Sequence, residues 1–221
     1  SLDITSQMAL PDARVRAYGM SLPRMITGAK AKVAASPAAT ETFRTNIDLT
    51  SEAGFFQVTL TGQPNTDPDL YVLRDANSDG TFDFASEIVG QGTGPTENEV
   101  VTLSGFTAPG KYQVWVHNSR EVVPGLSEAT FDLKIDIVSG DSLELRNAPD
   151  AIVPGQPATV DVCARTADLQ GATGPARGII VVGWKGAVNA IQVPVTWWPR
   201  LPISVFLPEA LQGFDLMAPL P

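Results

Sequence analysis

Apolar residues recur at every second position along much of this chain, and that period admits little besides β-strand. Phe131, Leu133, Ile135 and Ile137 fall on one side of a run whose other side is Asp132, Lys134 and Asp136. Tyr112, Val114 and Val116 alternate in the same way with Gln113, Trp115 and His117. Phe56, Val58 and Leu60 form a third run, and Ile191, Val193, Val195 and Trp197 a fourth. Each reads as a half-buried antiparallel strand, apolar face inward and polar face to water. Helical spacing is nearly absent; the candidates for short helices are Leu10 to Arg16 and Pro208 to Gln212.

Turn residues punctuate the strand runs about every ten positions, at Gly62 to Pro64, Asn77 to Gly80, Gly90 to Pro95, Ala108 to Gly110, Pro124 with Gly125, and Pro154 with Gly155. That rhythm, with 19 glycines, 18 prolines and only 18 % charged residues, points to an all-β chain. Its 43 % hydrophobic content fills packed cores without staples. We expect two antiparallel β-sandwich units of jelly-roll or Ig-like kind. One covers 45–140. The other covers 141–200, with strands at Leu143 to Arg146, Thr159 to Ala164, Gly178 to Trp184 and Ala190 to Trp197. Four strands leave exposed edges, so residues 1–44, with strand-like pieces at Arg14 to Tyr18 and Lys30 to Ala34, are expected to complete the second sandwich around an inserted first one. Residues 201–221 form an apolar, Pro-rich tail that could cover an edge or reach a neighbouring chain.

A net charge of −9 repels phosphate backbones and offers nothing to an anionic membrane surface. No apolar run approaches the ~18 residues of a membrane-spanning helix. The start at Ser1 has neither an initiator Met nor a signal-peptide pattern, which suggests a piece of a longer protein. Cys163 is the only cysteine, so no intramolecular disulfide forms; it reads as a small hydrophobe in a strand.

One segment concentrates hard oxygen donors. Asp75, Asn77, Asp79, Gly80, Thr81 and Asp83 fall at positions 1, 3, 5, 6, 7 and 9 of a calcium-loop pattern. Alternate positions aim several oxygens inward, Gly80 allows the sharp turn, and Thr81 can give its carbonyl. Position 12, where a bidentate Glu belongs, is Ser86, and Glu87 comes one residue late. Four carboxylates, those of Asp75, Asp79, Asp83 and Glu87, lie within thirteen residues beside Arg74. Unneutralised, they would repel one another or take up protons. The metal-ligand candidates are therefore Asp75, Asn77, Asp79, Thr81, Asp83 and Glu87, holding a structural Ca2+ at roughly 10⁻⁴ to 10⁻³ M. The competing reading is a polar hairpin turn, since Asp, Asn and Gly also favour turns.

Catalytic equipment is poor. His117, the only histidine, has Ser119 on the same side of an extended strand but no third partner, and it reads as an ordinary strand residue. One His and one Cys do not make a zinc site. The glycines of 90–94 lead to Pro95 and no Lys, so they are not a phosphate loop. Trp115, Trp184, Trp197 and Trp198 read as packing residues, with a carbohydrate platform as the alternative.

The stretch Asp67 to Gly80 (DPDLYVLRDANSDG), then Glu99 to Leu103 (EVVTL), then Ala108 to His117 (APGKYQVWVH), resembles the bacterial pre-peptidase C-terminal domain. It is similar to the variant found late in large secreted subtilisin-like serine proteases, where a DANGDG loop is common. The following segment, with Ile152 to Gly155 and Gly178 to Val182, is similar to the fibronectin-like unit beside it there. The resemblance covers about residues 50 to 197. It implies a secreted or cell-surface accessory region with no catalytic residues of its own, because the subtilase Asp, His-Gly and Gly-Thr-Ser motifs are absent. It implies as partners the protein's own catalytic domain and a protein substrate or cell-surface polymer, with no nucleic acid and no membrane span. A stand-alone adhesion or carbohydrate-binding module is the alternative.

Overall fold

The computed structural model describes residues 1–7, 9–165, 169, 174–184, 187–198 and 204–205. The chain is all-β, in four antiparallel sheets distributed over two units. One unit comprises Ser1–Leu22 together with Val138–Pro221, and the other is Pro23–Ile137.

The Pro23–Ile137 unit is a sandwich of two four-stranded sheets. One sheet runs β3 (Arg24–Lys32), β10 (Glu128–Ser139), β5 (Ala53–Gly62), β8 (Asn98–Leu103); the other runs β4 (Phe43–Leu49), β9 (Gly110–Asn118), β6 (Pro68–Arg74), β7 (Ile88–Gly92). Alternation supplies the core: Phe56, Val58 and Leu60 of β5, Phe131, Leu133 and Ile135 of β10, Leu70 and Val72 of β6, and Tyr112, Val114 and Val116 of β9 meet between the sheets. A bulge interrupts β10 between Phe131 and Leu133, where the Asp132 carboxylate accepts the Gly28 N–H at 2.8 Å.

The other unit uses both chain ends. β1 (Leu2–Ile4), β12 (Ala158–Ala164) and β11 (Leu143–Arg146) make a three-stranded sheet. β15 (Ser204–Val205), β14 (Ala187–Trp197), β13 (Ala176–Trp184) and β2 (Arg14–Ser21) make a four-stranded one. Leu2, Leu10, Met20, Leu143, Val160, Ile180 and Val195 are buried together in its core. β1 and β2 thus add to strands far along the chain, Leu2 pairing with Val160 and Tyr18 with Ile179.

Three expectations move. The division lies after Leu22, not at 44: β3, which contains most of the Lys30 to Ala34 piece, pairs with β10 and packs Ala31 into the inserted sandwich. Leu10 to Arg16 is not a helix. Asp12 has φ 54°, which no right-handed helix accepts, and Leu10 and Ala13 donate to the Ile152 and Asp150 carbonyls. Gly90 to Pro95 is not all turn, since Gly90 and Gly92 lie in β7. A Cβ on Gly90 would sit 2.5 Å from Val101 Cγ1, and one on Gly92 2.6 Å from Glu99 Oε2, so these glycines let β7 approach β8 closely. The proposed helix at Pro208 to Gln212 lies outside the described residues. So does the 201–221 tail except Ser204–Val205, which pairs with β14.

Candidate functional site

The acidic segment is the connection from β6 to β7. Asp75 follows directly on β6, and its carboxylate accepts the Asp79 and Gly80 N–H groups at 3.1 and 3.0 Å, closing a tight loop. Ser78 at φ 61° and Gly80 at φ 82° supply the left-handed residues it needs. Asn77 Oδ1 also accepts from the Asp79 amide, at 2.9 Å. Asp79 Oδ1 accepts the Thr81 amide at 2.8 Å and its hydroxyl at 2.7 Å. Asp83 takes the Ala85 amide at 2.9 Å and the Ser86 hydroxyl at 2.6 Å. Glu87 joins both halves, accepting the Ala76 and Asp83 amides at 3.0 and 2.9 Å.

The six candidate ligands are therefore in one loop, but each carboxylate is already engaged by N–H or O–H donors. Asp75 and Glu87 are buried; Asn77, Asp79, Thr81 and Asp83 are exposed. Among the described residues no three acidic, His or Cys groups gather at metal-holding distance. The repulsion anticipated between the carboxylates is offset within the loop. Asp79 is held below the usual carboxylate range by the Thr81 hydroxyl and amide, and Asp83 by the Ser86 hydroxyl and the Ala85 amide. Calcium fits the donor chemistry and the ionised state of the exposed carboxylates. The engaged carboxylates do not form a convergent cage.

Sequence pattern missed what seats this loop. Phe82 and Phe84, alternating with the acids, pack with Ile88 against the buried cluster of Tyr71, Leu73 and Trp115. The Phe84 ring lies edge-on to Tyr71 at 4.9 Å and stacks on Trp115 at 5.6 Å and 19°. The Arg44 guanidinium sits 4.2 Å from the Trp115 ring centroid. Trp115 is only 3 % exposed, so it offers no sugar platform. Trp184 and Trp197 pack against their own unit's core, and Trp198, 45 % exposed, remains a surface aromatic.

At the other end of the same sheet face, Asp69 of β6 is the cross-strand partner of His117 of β9. His117 is buried, with Nε2 2.9 Å from the Ala34 carbonyl and Nδ1 3.6 Å from Asp69 Oδ2. Burial pushes the Asp69 carboxyl up, opposed by His117 and reinforced by Asp67. The Tyr71 hydroxyl, hydrogen-bonded to Asp69, is pushed up to about 12 by burial and then by that charge. Asp67 pairs with Arg120 at 2.7 Å. Ser119 is exposed beyond the end of β9, while His117 Nε2 is committed to Ala34, so the two make no nucleophile pair. Nearby, burial also raises Glu99, beneath Gly92 and Gly94. Cys163 is a free, partly buried thiol in β12.

Fold and site together define an all-β protein of two antiparallel sandwich units, one inserted into the other. Among the described residues no helix is long and apolar enough to cross a membrane. No family model matches the chain, and no curated protein matches it. Among solved structures it is similar to the crystal structure of Aeromonas hydrophila PliG, a periplasmic lysozyme inhibitor of g-type lysozyme. That likeness has 15 % identity and a TM-score of 0.30, over 57 % of this chain and 87 % of that one.

Proposed function

We propose that this chain is a non-catalytic accessory region of a secreted subtilisin-like serine endopeptidase, which stabilises the protease or directs it to its substrate or a cell-surface polymer. One observation carries the reading. The three segments of the resemblance coincide with β6, β8 and β9, and their polar residues serve the sandwich itself. His117 and Asp75, the residues that would suggest chemistry, are buried and bound to backbone groups. Calcium belongs to the same proposal. Asp75, Asn77, Asp79, Thr81, Asp83 and Glu87 would hold it, and it would supply positive charge to the loop and nothing to a reaction. The exposed Trp198 favours a glycan-binding module as the second reading.

The test reads the coding sequence upstream of Ser1 for a peptidase domain, and assays that product for endopeptidase activity and stability with and without this region. Absence of a peptidase domain sinks the proposal. For calcium, calorimetry on the chain and on Asp79→Ala is decisive: saturable heat near one ion per chain, lost in the variant, supports the ligand. Absence of heat at millimolar Ca2+ removes it. Quenching of Trp198 fluorescence by oligosaccharides would favour the glycan reading.

A further inference from the structure

Alternation along β6 places Arg74 where a core residue would stand. Val72 and Leu70, two and four residues before it, face the sandwich core, and its cross-strand partner is Tyr112, itself a core residue. The guanidinium carbon lies 5.9 Å from the Tyr112 ring centroid. At this end of the Pro23–Ile137 unit there is a cleft of about 290 Å³. Arg74 and Tyr112 line it together with Val89 of β7, Leu103 of β8, and Phe106 and Thr107 of the loop after β8.

The cleft holds a positive charge that its own walls do not balance. Among the described residues the guanidinium makes one hydrogen bond, a long one from Nη2 to the Pro109 carbonyl at 3.4 Å, and no carboxylate pairs with it. Its Nε is buried without a partner. A partly buried cation without a counter-charge costs free energy that an anion would recover. Thr107 offers a second donor. It is 5 % exposed, its amide and carbonyl are both bonded to Ala53 at 2.9 Å, and its hydroxyl is buried with no partner. The Tyr112 hydroxyl, by contrast, is spent on the Ala108 carbonyl at 2.7 Å. No acidic side chain of the described residues lines the cleft. The 75–87 loop packs instead on the other face of β6, where Phe82 and Phe84 meet Tyr71 and Leu73.

We propose that this cleft binds a monocarboxylate with a short apolar tail, the carboxylate on Arg74 and Thr107 and the tail against Leu103, Phe106 and Val89. One guanidinium fork matches one carboxylate. A net charge of −9 disfavours a phosphate dianion. The volume lies at the lower end for small-ligand sites, about 300 Å³ and upward, which limits the tail to a few carbons. A free branched-chain acid and the C-terminal residue of a peptide share this chemistry. The site stands whether or not a peptidase domain precedes Ser1.

The experiment is an NMR titration of the whole chain with 4-methylpentanoate, N-acetylleucine, N-acetylleucinamide and sulfate. Both carboxylates should shift the Arg74 guanidinium and Thr107 amide signals saturably, while the amide and sulfate leave them in place. Tighter binding of N-acetylleucine would identify a peptide C-terminus as the source, and tighter binding of 4-methylpentanoate a free acid. Arg74→Gln should weaken the better ligand at least about tenfold, the loss expected for a hydrogen bond to a charged group. Thr107→Val, of nearly the same shape, should weaken it about threefold. Absence of saturable shifts with either carboxylate overturns the site, as does N-acetylleucinamide or sulfate binding as well as the acids, or full affinity in Arg74→Gln. If Arg74→Gln does not fold, the contrast between N-acetylleucine and its amide on the parent chain still decides.

Discussion

Glu87 and Asp79 show how differently two acids of one loop can matter. Glu87, 5 % exposed, accepts two backbone amides from opposite halves of the loop, whereas Asp79 is fully open to water. Glu87→Ala should therefore cost about 1.5–3 kcal/mol by urea denaturation, the range for losing hydrogen bonds to a charged group. Asp79→Ala, at an exposed carboxylate, should leave the urea midpoint close to that of the parent chain without added calcium. Acid gives a second handle. Donors from Thr81 and from Ser86 and Ala85 hold Asp79 and Asp83 below the ordinary aspartate range, so what they contribute is present above that range and lost as pH falls through their lowered values. Exchange at the Thr81 and Ala85 amides, which donate to these carboxylates, should accelerate below about pH 4 relative to amides of β5. Spacing had brought the loop's oxygens together on paper. It could not show that backbone donors would claim them, because sequence lists acceptors without revealing where the local amides point.

The strands were legible wherever alternation was strict, and β5, β9 and β10 lie where Phe56, Tyr112 and Phe131 begin their stripes. What alternation could not reveal is that the second face of β9 is also covered. Trp115 and His117 are buried under the 75–87 loop and the 33–42 crossover, elements remote in sequence from that face. Gly90 and Gly92 were misread for a related reason. Glycine marks a turn in sequence but also marks close approach, and only the pairing of the two sheets tells which. Gly90→Val tests this. Its Cβ would fall 2.5 Å from Val101 Cγ1, so the variant should lose about 1–3 kcal/mol in a denaturant melt, the cost of overpacking. Val89→Ala, exposed on the same strand, should change stability by no more than about 0.5 kcal/mol.

At the scale of the molecule, the chain leaves one unit after Leu22 and re-enters it at Val138. The sequence suggested an insertion because four strands after 141 needed partners. It misplaced the boundary because β3 is as strand-like as β2, and propensity does not say which sheet a strand joins. The ends of the inserted unit are neighbours: Arg24 of β3 is the cross-strand partner of Ile135 of β10. Paired antiparallel residues have Cα atoms about 5 Å apart, so excision leaves two termini side by side with no long gap in the fold. The excised unit also keeps both of its four-stranded sheets and the whole core around Phe56, Tyr112 and Phe131. Residues 23–137 expressed alone should therefore melt as one cooperative transition with native-like amide dispersion. A molten, broad transition would show that the insertion depends on its host. The reciprocal chain, residues 1–22 joined to 138–221 through a short Gly-Ser linker, should keep β2 paired with β13, because Tyr18 and Ile179 meet within that unit alone. Chain 138–221 without residues 1–22 should fail to fold, since it loses the strands that edge both of its sheets.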